Sequence, residues 1–362
     1  MGNLRLPAEW EPQKAVQIAW PHADTDWNPY LSSVEECYCN IAREISLRQD
    51  LIIVTPEPEH VRQMLHKTAS VKMGNIHIAE IPTNDTWARD HAFLTMTEGK
   101  MAAEASGSER KALIDLCFNG WGQKFASNYD NQINSRIFSW LSSYLPGEVS
   151  YSDCRRIVLE GGSVESDGKG TILTTSSCLM APNRNYYATK AEAEQMLKQV
   201  FGASRILWLN NSWLDGDDTD GHIDTVARLC PDDTIVYVKC YDEADEHYEG
   251  LSAMERELQA LRTPEGMPYR LLPVPLPSAV FERDFEDCVE EEKEQRLPAT
   301  YANFLIINKA VLMPTYGQPE NDAKAIAILQ QAFPDREIIG IDCRVLIRQH
   351  GSLHCITMQY PL

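Results

Sequence analysis

A chain of 362 residues, 43% of them hydrophobic, has enough apolar side chain for a large packed core, which excludes wholesale disorder. Its 53 Asp and Glu against 33 Lys and Arg leave a net charge of −20. That balance argues against a nucleic-acid partner and fits an acidic cleft drawing in small cations, although ordinary surface acidity accounts for it equally well.

The opening, Pro7 to Pro12, reads as irregular and leads into a strand from Ala15 to Trp20. A helix is predicted over 32–48, capped by Ser32 or Ser33, with Val34, Cys37, Ile41 and Ile45 on one stripe. Leu51 to Val54 reads as a strand, 57–67 as a helix and Ile76 to Ala79 as a strand. The stretch 83–91 follows as a loop, and Ala92 to Met96 as a strand. Lys111 to Phe118 is a strand before a Gly-Trp-Gly loop at 120–122. The helix at 131–144 has Ile133, Ile137, Trp140 and Leu141 on one face. Ile157 to Leu159 and Thr171 to Thr175 are strands, 189–201 a helix, and Ile206 to Leu209 and Ile235 to Val238 strands. A helix at 246–262 aligns Leu251, Met254, Leu258 and Leu261, and Tyr269 to Val274 is a strand. The acidic run 290–294 reads as a solvated loop. Strands at 302–307 and 310–313, a helix at 320–333, a strand from Glu337 to Ile341 and a closing strand carrying Cys355 complete the chain.

No linker divides residues 1–362, so one domain is expected. Strand pairs alternate with single helices, and five main helices imply a unit of roughly seventy residues. A ring of such units and an irregular α+β domain both fit that periodicity. Ten cysteines, none in a CxxC pair, point to reduced thiols rather than a disulfide framework or a structural zinc site. With no apolar leader and no run long enough to span a membrane, a cytoplasmic protein is expected.

Four stretches carry the chemistry: 84–90 (NDTWARD), 159–162 (LEGG), 221–224 (GHID) and 350–362, which holds Cys355. A thiol attacks carbon as a thiolate, and a histidine such as His222 can take its proton and later return it to a leaving group. One carboxylate behind the histidine suffices for a protease-like site. Three are present here, at Asp90, Glu160 and Asp224. Two carboxylates facing one pocket repel unless a cation lies between them. A planar guanidinium, with paired N–H donors, suits that position and leaves its central carbon open to sulfur. Each part also has a plain structural reading. Cys355 could be a core thiol, Asp90 a turn cap or partner of Arg89, and Trp87 a packing residue. His222 and Asp224 are expected on the same side of an extended segment, a pattern that also arises by chance.

In their order and spacing, NDTWARD at 84–90, LEGGS at 159–163, DDTDGHID at 217–224 and LHCIT at 353–357 resemble the agmatine deiminase / bacterial-type peptidyl-arginine deiminase family of the guanidine-modifying, or pentein, superfamily. The similarity runs from about Trp10 to Pro361. It implies an α/β fold, a five-bladed pseudo-fivefold propeller of ββαβ modules. It further implies Cys355 as nucleophile, His222 as general acid/base, Glu160 orienting His222, and Asp90 and Asp224 gripping the guanidinium. No metal or organic cofactor is implied. The reaction expected is agmatine plus water to N-carbamoylputrescine and ammonia through a covalent thiouronium. Deimination of free or C-terminal peptidyl arginine, amidino transfer, and non-catalytic guanidine or polyamine binding are the alternatives. Trp87, Asp218 and Gly351 are the candidates for contact with the rest of the substrate. The expected partner is a small cationic guanidine, with neither nucleic acid nor membrane, and a homo-oligomer is left open.

Overall fold

The computed structural model describes residues 4–98, 110–288 and 291–362. Among these, five sheets repeat one connection. A first strand pairs antiparallel with a second, the chain crosses through a helix, and a third strand returns parallel to the second. Leu94–Glu98, Arg110–Cys117 and Glu148–Val158 make one such unit, crossed by the helix Asp130–Tyr144. Val164–Ser166, Thr171–Thr175 and Arg205–Leu209 make the next, crossed by Lys190–Phe201. Ala227–Cys230, Thr234–Lys239 and Arg270–Pro275 follow with Tyr248–Ala260. Leu305–Ile307, Ala310–Thr315 and Glu337–Asp342 follow with Pro319–Ala332. The fifth unit joins the two ends of the chain. Its first strand is Thr357–Pro361, antiparallel to Gln13–Ala19, which crosses through Leu31–Ser46 to Asp50–Thr55. Ile76–Glu80 extends that sheet.

Helix-period apolar stripes drive the packing of these units. Val34, Cys37, Ile41 and Ile45 are all buried, as the pattern predicts, and so are Leu251, Met254 and Leu258. Central strands such as Leu51 to Val54 are apolar on both faces and fully buried, which suits parallel strands covered on both sides. No helix among the described residues is long and apolar enough to cross a membrane.

Several expectations are corrected. Ser32 and Ser33 do not cap the first helix; a single turn, Asn28–Tyr30, leads in through Pro29, and both serines lie inside the helix, exposed. Trp140 is not core but stacks on Tyr144 beside His77 at the surface. The strand before Glu160 is longer than its apolar end, starting at Glu148, because its alternating polar residues carry little apolar signal. Short strands at Val164–Ser166 and Ala227–Cys230 escape the periodicity for want of length. Glu290 of the acidic run lies outside the described residues, and Glu291, Glu292 and Glu294 are exposed.

The join between the ends has a polar anchor. The buried Tyr360 hydroxyl donates to Gln17 Oε1 at 2.6 Å. Tyr360→Phe leaves that amide oxygen without its donor in a dry site, so chemical denaturation should show a loss of about 1–3 kcal/mol.

Candidate functional site

Each of the five units contributes to one place, and from the same position: the turn that enters its first strand. Asp90 lies on the helical turn Ala88–His91, ahead of Leu94–Glu98. Glu160 opens the turn Gly161–Ser163, ahead of Val164–Ser166. His222 and Asp224 flank the start of Ile223–Thr225, ahead of Ala227–Cys230. Asn303 precedes Leu305–Ile307, and Cys355 precedes Thr357–Pro361. Three local expectations change accordingly. Asp90 is on a helical turn rather than a loop, residues 222–224 are a tight turn rather than an extended segment, and Cys355 stands before the closing strand rather than on it.

Gly162 marks where these turns converge. A Cβ there would lie 2.5 Å from His222 Nδ1, 3.0 Å from Asp90 Oδ1 and 3.2 Å from Asp224 Oδ2, so only glycine fits between the three side chains. The Gly162 amide donates to Asp90 Oδ1 at 3.1 Å, and Trp121 Nε1 donates to Asp90 Oδ2 at 2.9 Å. His222 Nδ1 is 3.8 Å from Asp90 Oδ1. Asp224 Oδ2 is 2.7 Å from His354 Nδ1, while Asp224 Oδ1 is buried without a protein partner. Asn303 ties the thiol to this set. Its Oδ1 accepts from the Cys355 amide at 3.3 Å and from Sγ at 3.4 Å, and its Nδ2 donates to the Asp224 carbonyl at 3.3 Å.

Glu160 is fully buried, and both its oxygens accept from Arg184 Nε at 2.9 Å. Arg184 also holds Asp220 at 2.7 Å and the Thr219 carbonyl at 2.8 Å, so it straps the acidic loop to the floor of the site. Ligand-type atoms of Glu160, Cys178 and His222 lie within 4.8 Å of one another, as do those of Glu9, Glu165 and His354. Each cluster is already crossed by a buried guanidinium, Arg184 in the first and Arg228 in the second.

Above the thiol is a cavity of about 360 Å³ lined by Cys355, Asp90, Trp87, Asp218 and Gly351, among others. Trp87 is a wall residue set between Trp27 and Trp121, with ring centroids 5.7 and 6.3 Å away. Gly351 lies against that ring, since a Cβ there would fall 2.1 Å from it. Asp218 is partly exposed at the rim, 3.8 Å from His350 Nε2. Its loop neighbours are spent on structure: Asp217 accepts the Thr219 and Gly221 amides, and Asp220 pairs with Lys124 and Arg184.

Burial and the crowding of charge set the protonation states. Burial, followed by the charges of Asp224 and Asp90, pushes the Cys355 thiol well above its ordinary range. Burial raises Asp90 to about 6 against the pull of His222, with Asp224 and Glu160 adding to the rise. His222 resists its own desolvation and is held well above the usual histidine value, chiefly by Asp90 and then by Cys178. Asp224 is also penalised by burial, yet its hydrogen bond to His354 and that residue's charge keep it below the usual carboxylate range. Before any ligand arrives, the site therefore holds a neutral thiol and a charged imidazole among carboxylates.

All of the residues singled out in the sequence lie at this site: Cys355, Asp90, Trp87, Asp218 and Gly351 line the cavity, and His222, Asp224 and Glu160 lie behind it. Sequence reasoning missed Arg184, Asn303, Cys178 and the role of Trp121. Asn303 alone had a findable signal, its place at the entrance to a unit's first strand.

The Porphyromonas-type peptidyl-arginine deiminase family profile matches residues 5–361. A solved Porphyromonas gingivalis structure, provisionally named an arginine deiminase, is 48% identical, covers 99% of this chain and 98% of that one, and superposes with a TM-score of 0.86. The Campylobacter jejuni agmatine deiminase, solved as a Cys-to-Ser variant with substrate bound, is 34% identical over 99% of this chain and 96% of that one, with a TM-score of 0.83. A Vibrio parahaemolyticus protein provisionally named an agmatine deiminase is 32% identical over 98% of this chain and 96% of its own length. The chain belongs to the Porphyromonas-type peptidyl-arginine deiminase family, hydrolases acting on C–N bonds.

Proposed function

We propose that the protein hydrolyses the guanidine C–N bond of agmatine, giving N-carbamoylputrescine and ammonia. The observation that carries this reading is the convergence of Asp90, Asp224 and His222 on Gly162, with one Asp224 oxygen unpartnered and Cys355 electrostatically exposed to both aspartates. A guanidinium bound there accepts a carboxylate on either side and presents its carbon to sulfur.

The charge state explains how a neutral thiol becomes a nucleophile. A unit positive charge about 4 Å from a thiolate is worth roughly 4 kcal/mol at an effective dielectric of ~20. That lowers the thiol by roughly three pH units. The substrate's own charge thus offsets the two aspartates that hold Cys355 protonated. The thiol gives up its proton to solvent through the open cavity, and sulfur then bonds to the guanidinium carbon, whose C–N π pair moves onto nitrogen. The imidazolium of His222 delivers its proton to the departing nitrogen, ammonia leaves, and a thiouronium remains. Neutral His222 next takes a proton from water as its oxygen bonds to the same carbon. Collapse of that adduct breaks the C–S bond, frees the ureido product and returns the thiol. Glu160 has both oxygens on Arg184 and makes no hydrogen bond to His222, so in this reading it acts on the imidazole by charge at close range.

The cavity also favours an amine tail over a carboxylate. Among the described residues that line it, the one arginine, Arg348, is saturated by Glu282 and Asp287 and stacked between Tyr30 and Phe285. Asp26, Asp85, Asp218 and Glu292 line the remainder. An α-carboxylate would therefore enter a field of its own sign, whereas the ammonium of agmatine finds Asp218 at the rim and Trp87 along its methylenes. In the same reading, the five repeated units close around a pseudo-fivefold axis, which would account for five strand entrances meeting at one point. A cytoplasmic setting suits ten unpaired cysteines.

The direct test is ammonia release from agmatine, free arginine and a peptide with C-terminal arginine. Agmatine should be turned over with the highest kcat/KM, and silence on all three from folded protein removes the proposal. Cys355→Ala should lower turnover by several orders of magnitude, with an unchanged circular-dichroism spectrum; residual activity near wild type would exclude the nucleophile assignment. Because Asp90 must be ionised to hold a guanidinium, kcat/KM for agmatine should fall as the pH drops through about 6, which a stopped assay across pH 5–8 would read.

A further inference from the structure

The Gly-Trp-Gly stretch folds in a way that the reaction above does not explain. Gly120, Trp121, Gly122 and Gln123 all have positive φ, at 66°, 53°, 85° and 69°. The Gln123 amide donates to the Asn119 carbonyl at 2.9 Å, and the Lys124 amide to the Gly120 carbonyl at 3.0 Å. Together these make one turn of left-handed helix. Glycine enters that region freely, but Trp121 and Gln123 each carry a Cβ that crowds the following carbonyl. Such a backbone persists only where the surrounding contacts over-determine it, and it gathers at functional sites.

The turn is pinned from several sides. Asn119 Oδ1 accepts from the Gly122 amide at 2.8 Å, and its Nδ2 donates to the Asn183 carbonyl at 2.8 Å. Lys124 Nζ donates to the Asp218 carbonyl at 2.6 Å and to Asp220 Oδ1 at 2.8 Å, tying the turn to the acidic loop. What this holds in place is the Trp121 indole, buried edge-on to Phe118, Phe125 and Trp87 with ring centroids 4.8, 5.5 and 6.3 Å away. Its Nε1 donates to Asp90 Oδ2 at 2.9 Å, while the Gly162 amide donates to Oδ1 at 3.1 Å. A carboxylate held at both oxygens cannot swing about its Cβ–Cγ bond, and each oxygen keeps a lone pair for a ligand. The indole is moreover a neutral donor that does not titrate. It fixes the carboxylate without cancelling its charge, as an arginine or lysine in that place would.

We infer that Trp121 is a positioning residue for Asp90, and that the left-handed turn is what aims its indole N–H at that carboxylate. Trp121 sets the plane in which Asp90 meets a guanidinium and leaves the negative charge free for it. The functional half of this inference rests on the proposed guanidine chemistry; the pinning of Asp90 does not.

Two measurements test it. In the full chain labelled with ¹⁵N-tryptophan, the Trp121 indole proton, assigned by its absence in Trp121→Phe, should shift as the pH falls through about 6, where Asp90 takes up a proton. It should also be displaced in Asp90→Asn. An indole proton unmoved from pH 5 to 8 and unmoved in Asp90→Asn would overturn the inference, whether or not any guanidine proves to be a substrate. In kinetics, Trp121→Phe keeps a ring among its aromatic neighbours and deletes only the donor. It should raise KM for agmatine by about tenfold or more with kcat changed much less, the pattern of a lost binding contact. It should also move the acid limb of kcat/KM to higher pH, because Asp90 loses a hydrogen bond that favours its ionised form. The titratable groups facing Asp90, namely His222, Asp224, Glu160 and Cys355, are the same in both proteins, so the movement reports the lost donor. Gly122→Ala disturbs the turn without touching the indole, since its Cβ would stand 3.0 Å from Asn183 Cβ, and should give the same changes in smaller measure. Variants that lose only thermal stability, with KM and the acid limb unmoved, would show a merely structural tryptophan and would also overturn it. If the indole proton follows Asp90 but no guanidine is turned over, the pin stands and the reaction assignment fails alone.

Discussion

Two buried carboxylates, Asp90 and Asp224, on either side of a single glycine are the constraint around which the rest of the site is arranged. Left to themselves they would take up protons, and Asp90 has moved part of the way, to about 6. Asp224 has not, because it takes a 2.7 Å hydrogen bond from His354 behind it. Asp90 instead relies on two neutral donors, the Trp121 indole and the Gly162 amide, and on His222 close by. The two arms are thus held by different means. Every further ion in the neighbourhood answers to this charge: Arg184 on Glu160, Arg228 on Glu9 and Glu165, Arg89 near Glu9. Buried ion networks of this kind add little net stability, since desolvation consumes most of the Coulombic gain. They are better understood as the cost of keeping acids ionised out of water.

The architecture serves that purpose by repetition. A hairpin followed by a helical crossover is an ordinary α/β device, but five of them each direct the turn before the first strand to the same place. The functional groups therefore come from short segments anchored on one side by a sheet ladder, which holds side chains more tightly than free loops do. The chain's ends take part in this directly, since the strand after Cys355 is hydrogen-bonded to the first long strand.

Much of this was legible in the sequence. Helix stripes such as Val34, Cys37, Ile41 and Ile45 bury as their spacing requires, and the five crossover helices lie within two residues of where periodicity placed them. The acids, His222 and Cys355 stood out as a set, a thiol, a histidine and three carboxylates in ordered motifs, although each alone has a plain structural reading. What escaped notice did so for physical reasons. Strands of three or four residues, such as Val164–Ser166, are too short to show a period. Asn303 and Arg184 act through contacts with residues 52 and 24 positions away, and nothing local records such a partnership. The acidic cleft that the net charge suggested is only partly met by the loop 217–220: Asp217 and Asp220 are committed to shaping and strapping it, and Asp218 alone of its three aspartates lines the cavity.

The strand that delivers the thiol meets a partner 343 positions away in sequence at Tyr360 and Gln17. Contacts that distant form late, because the loop they close has to be ordered first. Whenever the segment 357–361 is displaced, Val16 and Ile18 lie on an open sheet edge, and open edges of this kind invite association with other chains.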